Sequence, residues 1–378
     1  MVYFDYASTT PIHGEVLNAY QILLAKYYAN TDSLHDAGIK VADLMEQSRE
    51  QIASCLKLKA DELLFTSGAS EANNLAIKGI AFKYKKRGKH LITSTMEHSS
   101  VHETMKQLRD EFGFDVTFLE VDESGKVSVE SLQKALREDT ILVSLMALNN
   151  EVGSINEISE LANVTKAYSR AYFHCDCTQI LGKHPIDFLK DIDLASFSAH
   201  KIYGCKGSGL LYKRRKVELQ PLTCGGQQER GLRGGTSNAP VNIVLAKTIR
   251  LALDSQFQHL QVVTKLNHQL RTLLKDILEV EINSPMDASP YILNFSFKNI
   301  TSEIMLNALN DRGFCVSAQS TCSSKTKSPS RVLKAMGFSE KRALRSIRCS
   351  FSYLSKESEV NEFVQTIKEI LNEYRIKS

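Results

Sequence analysis

From Glu62 onward, short apolar runs of strand type alternate with longer runs of helical period, and this alternation restricts the fold more than any other feature. The strand-type runs fall at 63–66, 90–94, 116–119, 140–146, 171–175 and 192–197; the helical ones end near residue 84 and cover 101–112, 129–136 and 158–168. Strands joined by helix-length crossovers pair in parallel and bury both faces. The expectation is an α/β fold: a large three-layer domain with a mainly parallel sheet. A ligand site in such a sheet lies at the carboxyl ends of the strands.

The rest of the chain has a different texture. Residues 1–12 read as an extended arm with a turn at Thr10-Pro11, followed by helices at 14–28 and 36–56. In the second helix Val41, Leu44, Met45, Ser48 and Ile52 share one face. After Asn238 a long helical connector covers 239–278, then a strand at 291–297, two or three helices and a closing helix at about 357–374. We read 13–255 as the large domain, and 256–378 together with arm 1–12 as a smaller α+β domain.

Composition excludes several classes. With 43% apolar and 24% charged residues over 378 positions, the chain is globular and can bury a sizeable core. A formal net charge of +4 does not demand nucleic acid, and no sequence-specific contact to it is expected. The clean apolar run at 141–148 is too short to span a bilayer. The N-terminus shows no basic-then-apolar leader, and eight scattered cysteines suggest no disulfide framework, so a reducing cytoplasm is the expected compartment.

Chemistry collects where strands end. Ser67-Gly68-Ala69-Ser70 opens a helix with small residues, which suits either a bound phosphate or a plain N-cap. Glu97-His98-Ser99-Ser100 follows the strand at 90–94; a lone histidine there is structural unless an aromatic cofactor lies beneath it. Asn149-Asn150-Glu151-Val152-Gly153 makes a polar turn, which often does nothing more. Asp176 ends an apolar strand, where an unpaired carboxylate is costly and a protonated pyridine nitrogen would satisfy it. Cys175 and Cys177 face away from it; without a second pair at zinc spacing they read as small core residues, and no metal is expected. Lys201, in Ser198-Ala199-His200-Lys201 before a glycine-rich turn, is placed like a Schiff-base lysine, although the stretch alone fits a solvated lysine as well. The order phosphate turn, histidine, asparagine, aspartate, lysine is what a pyridoxal phosphate site requires: an amine for the aldehyde, a carboxylate for the ring nitrogen, a helix N-terminus for the phosphate.

The same stretches carry a resemblance. Phe4-Asp5-Tyr6-Ala7-Ser8-Thr9-Thr10-Pro11, Thr66 through Asn74, Glu97-His98, Asn149 through Gly153, Asp176-Cys177-Thr178-Gln179, Ser198 through Gly204, Gly225 through Thr236 and Ser346-Ile347-Arg348 resemble the cysteine desulfurase family of class V aminotransferase-fold enzymes. The resemblance implies a fold-type I pyridoxal phosphate enzyme. Lys201 would carry the cofactor, His98 would stack on its ring and move protons, Asp176 would bind the ring nitrogen and Gln179 the ring hydroxyl. Ala69, Ser70, Ser198 and His200 would hold the phosphate, joined by Thr236 from a second subunit of a homodimer. Asn30, Asn149 and Arg348 would bind the substrate L-cysteine, Arg348 offering its carboxylate a bidentate fork.

The family's nucleophile corresponds to Cys322, in the polar run 317–330, which lacks a large apolar anchor and is expected to be a mobile loop of the small domain. Thr31, Thr321 and Ala199 stand where the family more often has proline, alanine and glycine. Two other functions share the fold: a selenocysteine or cysteine-sulfinate lyase, for which Cys322 is dispensable, and a non-catalytic docking partner. The implied sulfur acceptor is a protein of tRNA thiolation or iron–sulfur assembly. The last helix ends close to Ser378, which leans toward a tRNA thiouridylase. Residues 325–348 carry eight basic side chains and one acid, either a solvated face or a surface that steers an acidic acceptor.

Overall fold

The computed structural model describes residues 1–318 and 329–377. The chain opens with β1 (Val2–Tyr3), α1 (Gly14–Lys26) and α2 (Asp36–Leu56). The alternating part comprises β2 (Leu63–Thr66), α3 (Ala69–Tyr84), β3 (His90–Ser94), α4 (Ser99–Phe112), β4 (Asp115–Leu119), α5 (Val129–Ala135), β5 (Thr140–Met146), α6 (Ile158–Tyr168), β6 (Tyr172–Asp176), β7 (Leu194–Ser198) and β8 (Gly209–Lys213). Then follow α7 (Ala239–Asp254), α8 (Gln256–Lys275), β9 (Val280–Ile282), β10 (Ile292–Phe297), α9 (Ser302–Asp311), β11 (Phe314–Cys315), α10 (Arg331–Ala335), α11 (Glu340–Ala343), β12 (Ser346–Ser350) and α12 (Glu357–Lys377).

Seven strands form one sheet in the order β2-β8-β7-β6-β5-β3-β4. The strands from β7 across to β4 pair in parallel, and β8 runs antiparallel to both β7 and β2. This is the mainly parallel sheet the alternation predicts. Strand periodicity sorts its side chains onto two buried faces. Leu64, Leu91, Leu142, Leu194 and Leu211 pack with Leu75 and Ile80 of α3 and Met105 and Leu108 of α4. Phe65, Ile92, Val143, Phe173 and Phe197 pack with Ile52 of α2, Leu161 of α6 and Ile249 of α7. Cys175 and Cys177 lie fully buried in this second core.

A smaller antiparallel sheet, β12-β10-β9, lies toward the C-terminus. The N-terminal arm joins that region: β1 pairs in parallel with β11, and Asp5 bridges to Ser350 beside β12. The helical connector is two helices, not one. The break falls at Ser255, which caps α7 and precedes α8 without any proline or glycine to announce it. Among the described residues, no helix is long and apolar enough to cross a membrane.

Candidate active site

The carboxyl ends of β2, β3, β6 and β7 converge with the N-terminal arm and β12 around a cavity of about 490 Å³. At one end α3 begins. Gly68, its N-cap, has φ +152°, and no side chain caps the first turn, which leaves the amides of Ala69 and Ser70 facing an anion site. Close backbone contact shapes this corner: a Cβ on Gly209 of β8 would stand 2.4 Å from Gly68 Cα. Ser198, His200 and Lys206 line the same end. Burial, with Lys201, Lys206 and Lys183 nearby, holds the His200 imidazole down to about 4, so it is neutral; its Nδ1 contacts Thr9 Oγ1 at 3.1 Å.

Deeper in the cavity Asp176 closes β6, buried but held by donors on both oxygens. Oδ2 accepts from Asn73 Nδ2 at 2.8 Å and Oδ1 from the Thr178 amide at 2.9 Å. Asn73 gives its other hydrogen to Ser100 Oγ at 2.9 Å, and Ser100 Oγ lies 2.9 Å from His98 Nδ1. That Nδ1 also accepts from the Ser100 amide at 3.2 Å, so neutral His98 carries its proton on Nε2. Burial lowers the His98 pKa, helped by Lys201 and Arg331 and opposed by Asp176. Asn73 and Ser100 escape sequence reading because a polar residue in a helix turn has no signature of its own.

The arm forms the facing wall. Lys201 Nζ donates to the carbonyls of Ala7 and Ser8, both at 2.6 Å, and Gln179 Nε2 donates to Ala7 O at 2.9 Å. Arg348, in the centre of β12, is 1% exposed and reaches the same cavity. Its Nη2 donates to Asp5 Oδ1 and Ser8 Oγ, each at 2.7 Å, and its Nη1 to Asn150 O at 2.8 Å.

Three expected residues stand apart from this cluster. Asn149 is buried, but its amide staples its own turn: Oδ1 accepts from the Glu151 and Val152 amides and Nδ2 donates to Met96 O, while Asn150 is the residue lining the cavity. Asn30 is exposed and accepts from the Asp32 amide. Thr236 does not line this chain's cavity. Its loop is anchored through Glu229, whose carboxylate takes both terminal nitrogens of buried Arg49, at 2.8 and 3.0 Å, and the Phe65 amide at 2.9 Å. The clamp holds Glu229 and Arg230 in left-handed backbone, φ +45° and +59°.

Cys322 lies in 319–328, outside the described residues, as do Lys325 and Lys327. The flanks of that segment are placed at the site. Ser317 pairs with the backbone of Arg348, and Ser330 Oγ donates to Glu151 Oε2 at 2.7 Å. Of the basic side chains between 329 and 348, four are occupied by the protein itself. Arg331 donates to Glu97 O, Arg342 to Asn283 Oδ1 and Ile282 O, Arg345 to Lys298 O, and Arg348 to Asp5. Lys334 and Lys341 are the exposed ones, while the arginines on neutral acceptors keep their charge.

The donor set fits pyridoxal phosphate. Helix amides with Ser198 and His200 suit its phosphate, Asp176 suits a protonated ring nitrogen, and Lys201 supplies an amine in the same cavity. Comparison with known proteins agrees. The sequence matches the family described as aminotransferase class-V over residues 2–363. It is 40% identical over 377 residues to the cysteine desulfurase IscS of Dictyoglomus turgidum, covering 99% of this chain and 95% of that one. It is 39% identical over 384 residues to the IscS of Buchnera aphidicola, covering 99% and 93%. Among solved structures, a NifS-like protein superposes with a TM-score of 0.92 at 37% identity, covering 98% of this chain and 99% of that one. SspA in complex with cysteine superposes with a TM-score of 0.79 at 35% identity, covering 93% and 99%. The chain belongs to the class-V aminotransferase family, in its NifS- and IscS-like cysteine desulfurase branch, whose cofactor is pyridoxal phosphate.

Proposed function

We propose that this protein is an L-cysteine desulfurase that leaves alanine and a persulfide on Cys322. The observation that carries the reading is the meeting of Lys201, Asp176, His98 and Arg348 around one cavity. Lys201 would supply the amine for the cofactor's aldehyde, Asp176 would face its ring nitrogen, and Gln179 would face its ring hydroxyl. Ala69, Ser70, Ser198 and His200 hold its phosphate, with Thr236 of the partner subunit. Bound there, pyridoxal phosphate supplies an electron sink for bonds broken at the substrate's α-carbon.

The remaining steps belong to the chain itself. Arg348 orients the substrate carboxylate, which joins Asp5 on a guanidinium already held in place. His98 hands its Nε2 proton to the new C–H bond and regains one from the Cys322 thiol, so the imidazole ends as it began. As the substrate's Cβ–S bond breaks, an S–S bond forms to Cys322 Sγ. Cβ is reduced to the methyl of alanine, Cys322 is oxidised to the persulfide, and the thiol's proton is accounted for in the new C–H bond, so no outside oxidant is needed. The cysteine bound by SspA, a relative of the same fold, supports the choice of substrate. Asn149 acts one step back by shaping the turn that presents Asn150, and Asn30 is left without a substrate role.

Sulfur then passes to an acceptor protein of tRNA thiolation or iron–sulfur assembly, in the cytoplasm. The working form is a homodimer, supported by the apolar side chains that α1, α2 and the loop between them leave in solvent: Leu24, Tyr28, Leu34 and Ile39 are 47–93% exposed. Residues 13–255 form the large domain, and 256–378 with arm 1–12 the small one. The test is alanine and sulfide production by wild type and Cys322→Ala. Wild type should release alanine in step with sulfur, and the variant should lose both. A variant making alanine at the wild-type rate supports the selenocysteine or sulfinate lyase reading instead.

A further inference from the structure

We propose that Lys183 is a positioning residue that fixes the side-chain amide of Gln179, so that the cofactor cavity meets an N–H donor and not a carbonyl oxygen. The inference rests on the proposed function, in which Gln179 faces the ring hydroxyl of pyridoxal phosphate.

Gln179 and Lys183 follow β6 in a helical turn in which the Leu181 amide donates to Cys177 O and the Lys183 amide to Ile180 O. Four positions apart in such a turn, their side chains share a side. Gln179 lines the large cavity; Lys183 does not. Lys183 lines a separate cavity of about 20 Å³, room for one water and too small for substrate or cofactor. Its influence must therefore pass through a neighbour, and Gln179 is that neighbour: Lys183 Nζ stands 2.7 Å from Gln179 Oε1.

The other end of the amide is constrained too, because Gln179 Nε2 donates to Ala7 O at 2.9 Å, and a carbonyl can only accept. Turning the amide over would set its NH2 against the lysine's ammonium, donor against donor, and its oxygen against the Ala7 carbonyl. Both contacts would pair groups of like polarity among buried atoms, which is costly. In the observed orientation one hydrogen of Nε2 goes to Ala7 and the second remains for an acceptor in the cavity, such as a phenolic oxygen.

A purely structural role does not account for a lysine here. Lys183 is 8% exposed, with Lys201 and Arg348 as its charged neighbours, and an apolar side chain of equal length would be easier to bury. The Tyr291 ring packs 5.7 Å from its Nζ and adds no acceptor oxygen within that contact.

The test is the dissociation constant of pyridoxal phosphate from the dimeric protein, read by absorbance, for wild type, Lys183→Met, Gln179→Ala and the double variant. Measurement at pH 6 keeps Lys183 an ammonium, which can only donate, as the proposal requires. Lys183→Met should weaken retention roughly tenfold, the equivalent of one misdirected hydrogen bond, and add almost nothing once Gln179 is alanine. Circular dichroism of each variant confirms folding, and Lys183→Arg, which keeps a donor, should restore most of the affinity. A Lys183→Met protein that binds like wild type, or that weakens binding equally in the Gln179→Ala background, overturns this inference alone. A wild-type protein that takes up no pyridoxal phosphate overturns the proposed function and this inference with it.

Discussion

Lys183→Met should stabilise the protein at neutral pH and lose most of that advantage in alkali. Burial pushes the Lys183 pKa down to about 7, with Lys201 and Arg348 adding to the shift. In the unfolded chain the same amine titrates near 10.5. Between these values the unfolded state binds more protons than the folded one, so the stability contributed by this site rises with pH. Integrated from pH 7 to pH 10, the linkage amounts to about 3–4 kcal/mol. Methionine does not titrate, so that amount should appear as a narrowing gap between variant and wild type. The hydrogen bond lost from Gln179 Oε1 costs about 1 kcal/mol at every pH and drops out of the difference. The assay is urea unfolding at fixed protein concentration at pH 7, 8.5 and 10. It is done on protein stripped of cofactor, so that Lys201 carries no aldehyde adduct in either variant. A gap that stays constant across the three pH values refutes the reasoning, because it means that Lys183 keeps its proton when buried.

Two further outcomes follow from the site and its support. Lys201→Ala should abolish both the visible absorbance of the bound cofactor and all turnover, read by spectrophotometry and alanine release; a yellow, active variant would falsify the assignment. Arg49→Met should cost about 3–5 kcal/mol of stability by urea titration, because Glu229 stays buried with only the Phe65 amide as partner, whereas Arg49→Met with Glu229→Leu should recover most of the loss.

Much of this was legible in the sequence, for identifiable reasons. All seven residues of β5 are buried on a sheet covered on both faces, so a strongly apolar run, interrupted only by Ser144 after the opening Thr140, marked its bounds. On α2 the helical spacing of Val41, Met45, Ser48 and Ile52 corresponds to a buried face. Asp176 stands out as a carboxylate ending an apolar strand, whereas His98, Lys201 and Arg348 drew their roles from the order of the motifs and the family resemblance; all four line one cavity. What escaped depends on partners far away in the chain. β1 and β11 are two residues each and exist only through each other. Lys183 carries no signature in the sequence, and only the fold puts it behind Gln179. Asn149 reads as a ligand until its own turn takes its oxygen and the distant Met96 carbonyl its NH2. Arg331, Arg342 and Arg345 count as surface charge until their carbonyl partners are known.

The pairing of Asp5 with Arg348 spans 343 positions, and it sets a schedule for the nascent chain. The sheet bearing Asp176 and Lys201 is encoded by residue 213, while the guanidinium that fastens the arm belongs to β12, beginning at Ser346. At roughly 5–20 residues per second, a ribosome needs on the order of ten seconds to cover that distance. Through that interval Asp5 has no cation, and the arm rests on its contacts with Gln179, His200 and Lys201. The cavity wall is therefore the last part of the site to arrive, and a chain stalled before β12 can fold its sheet around the lysine without closing the chamber that keeps a cofactor there.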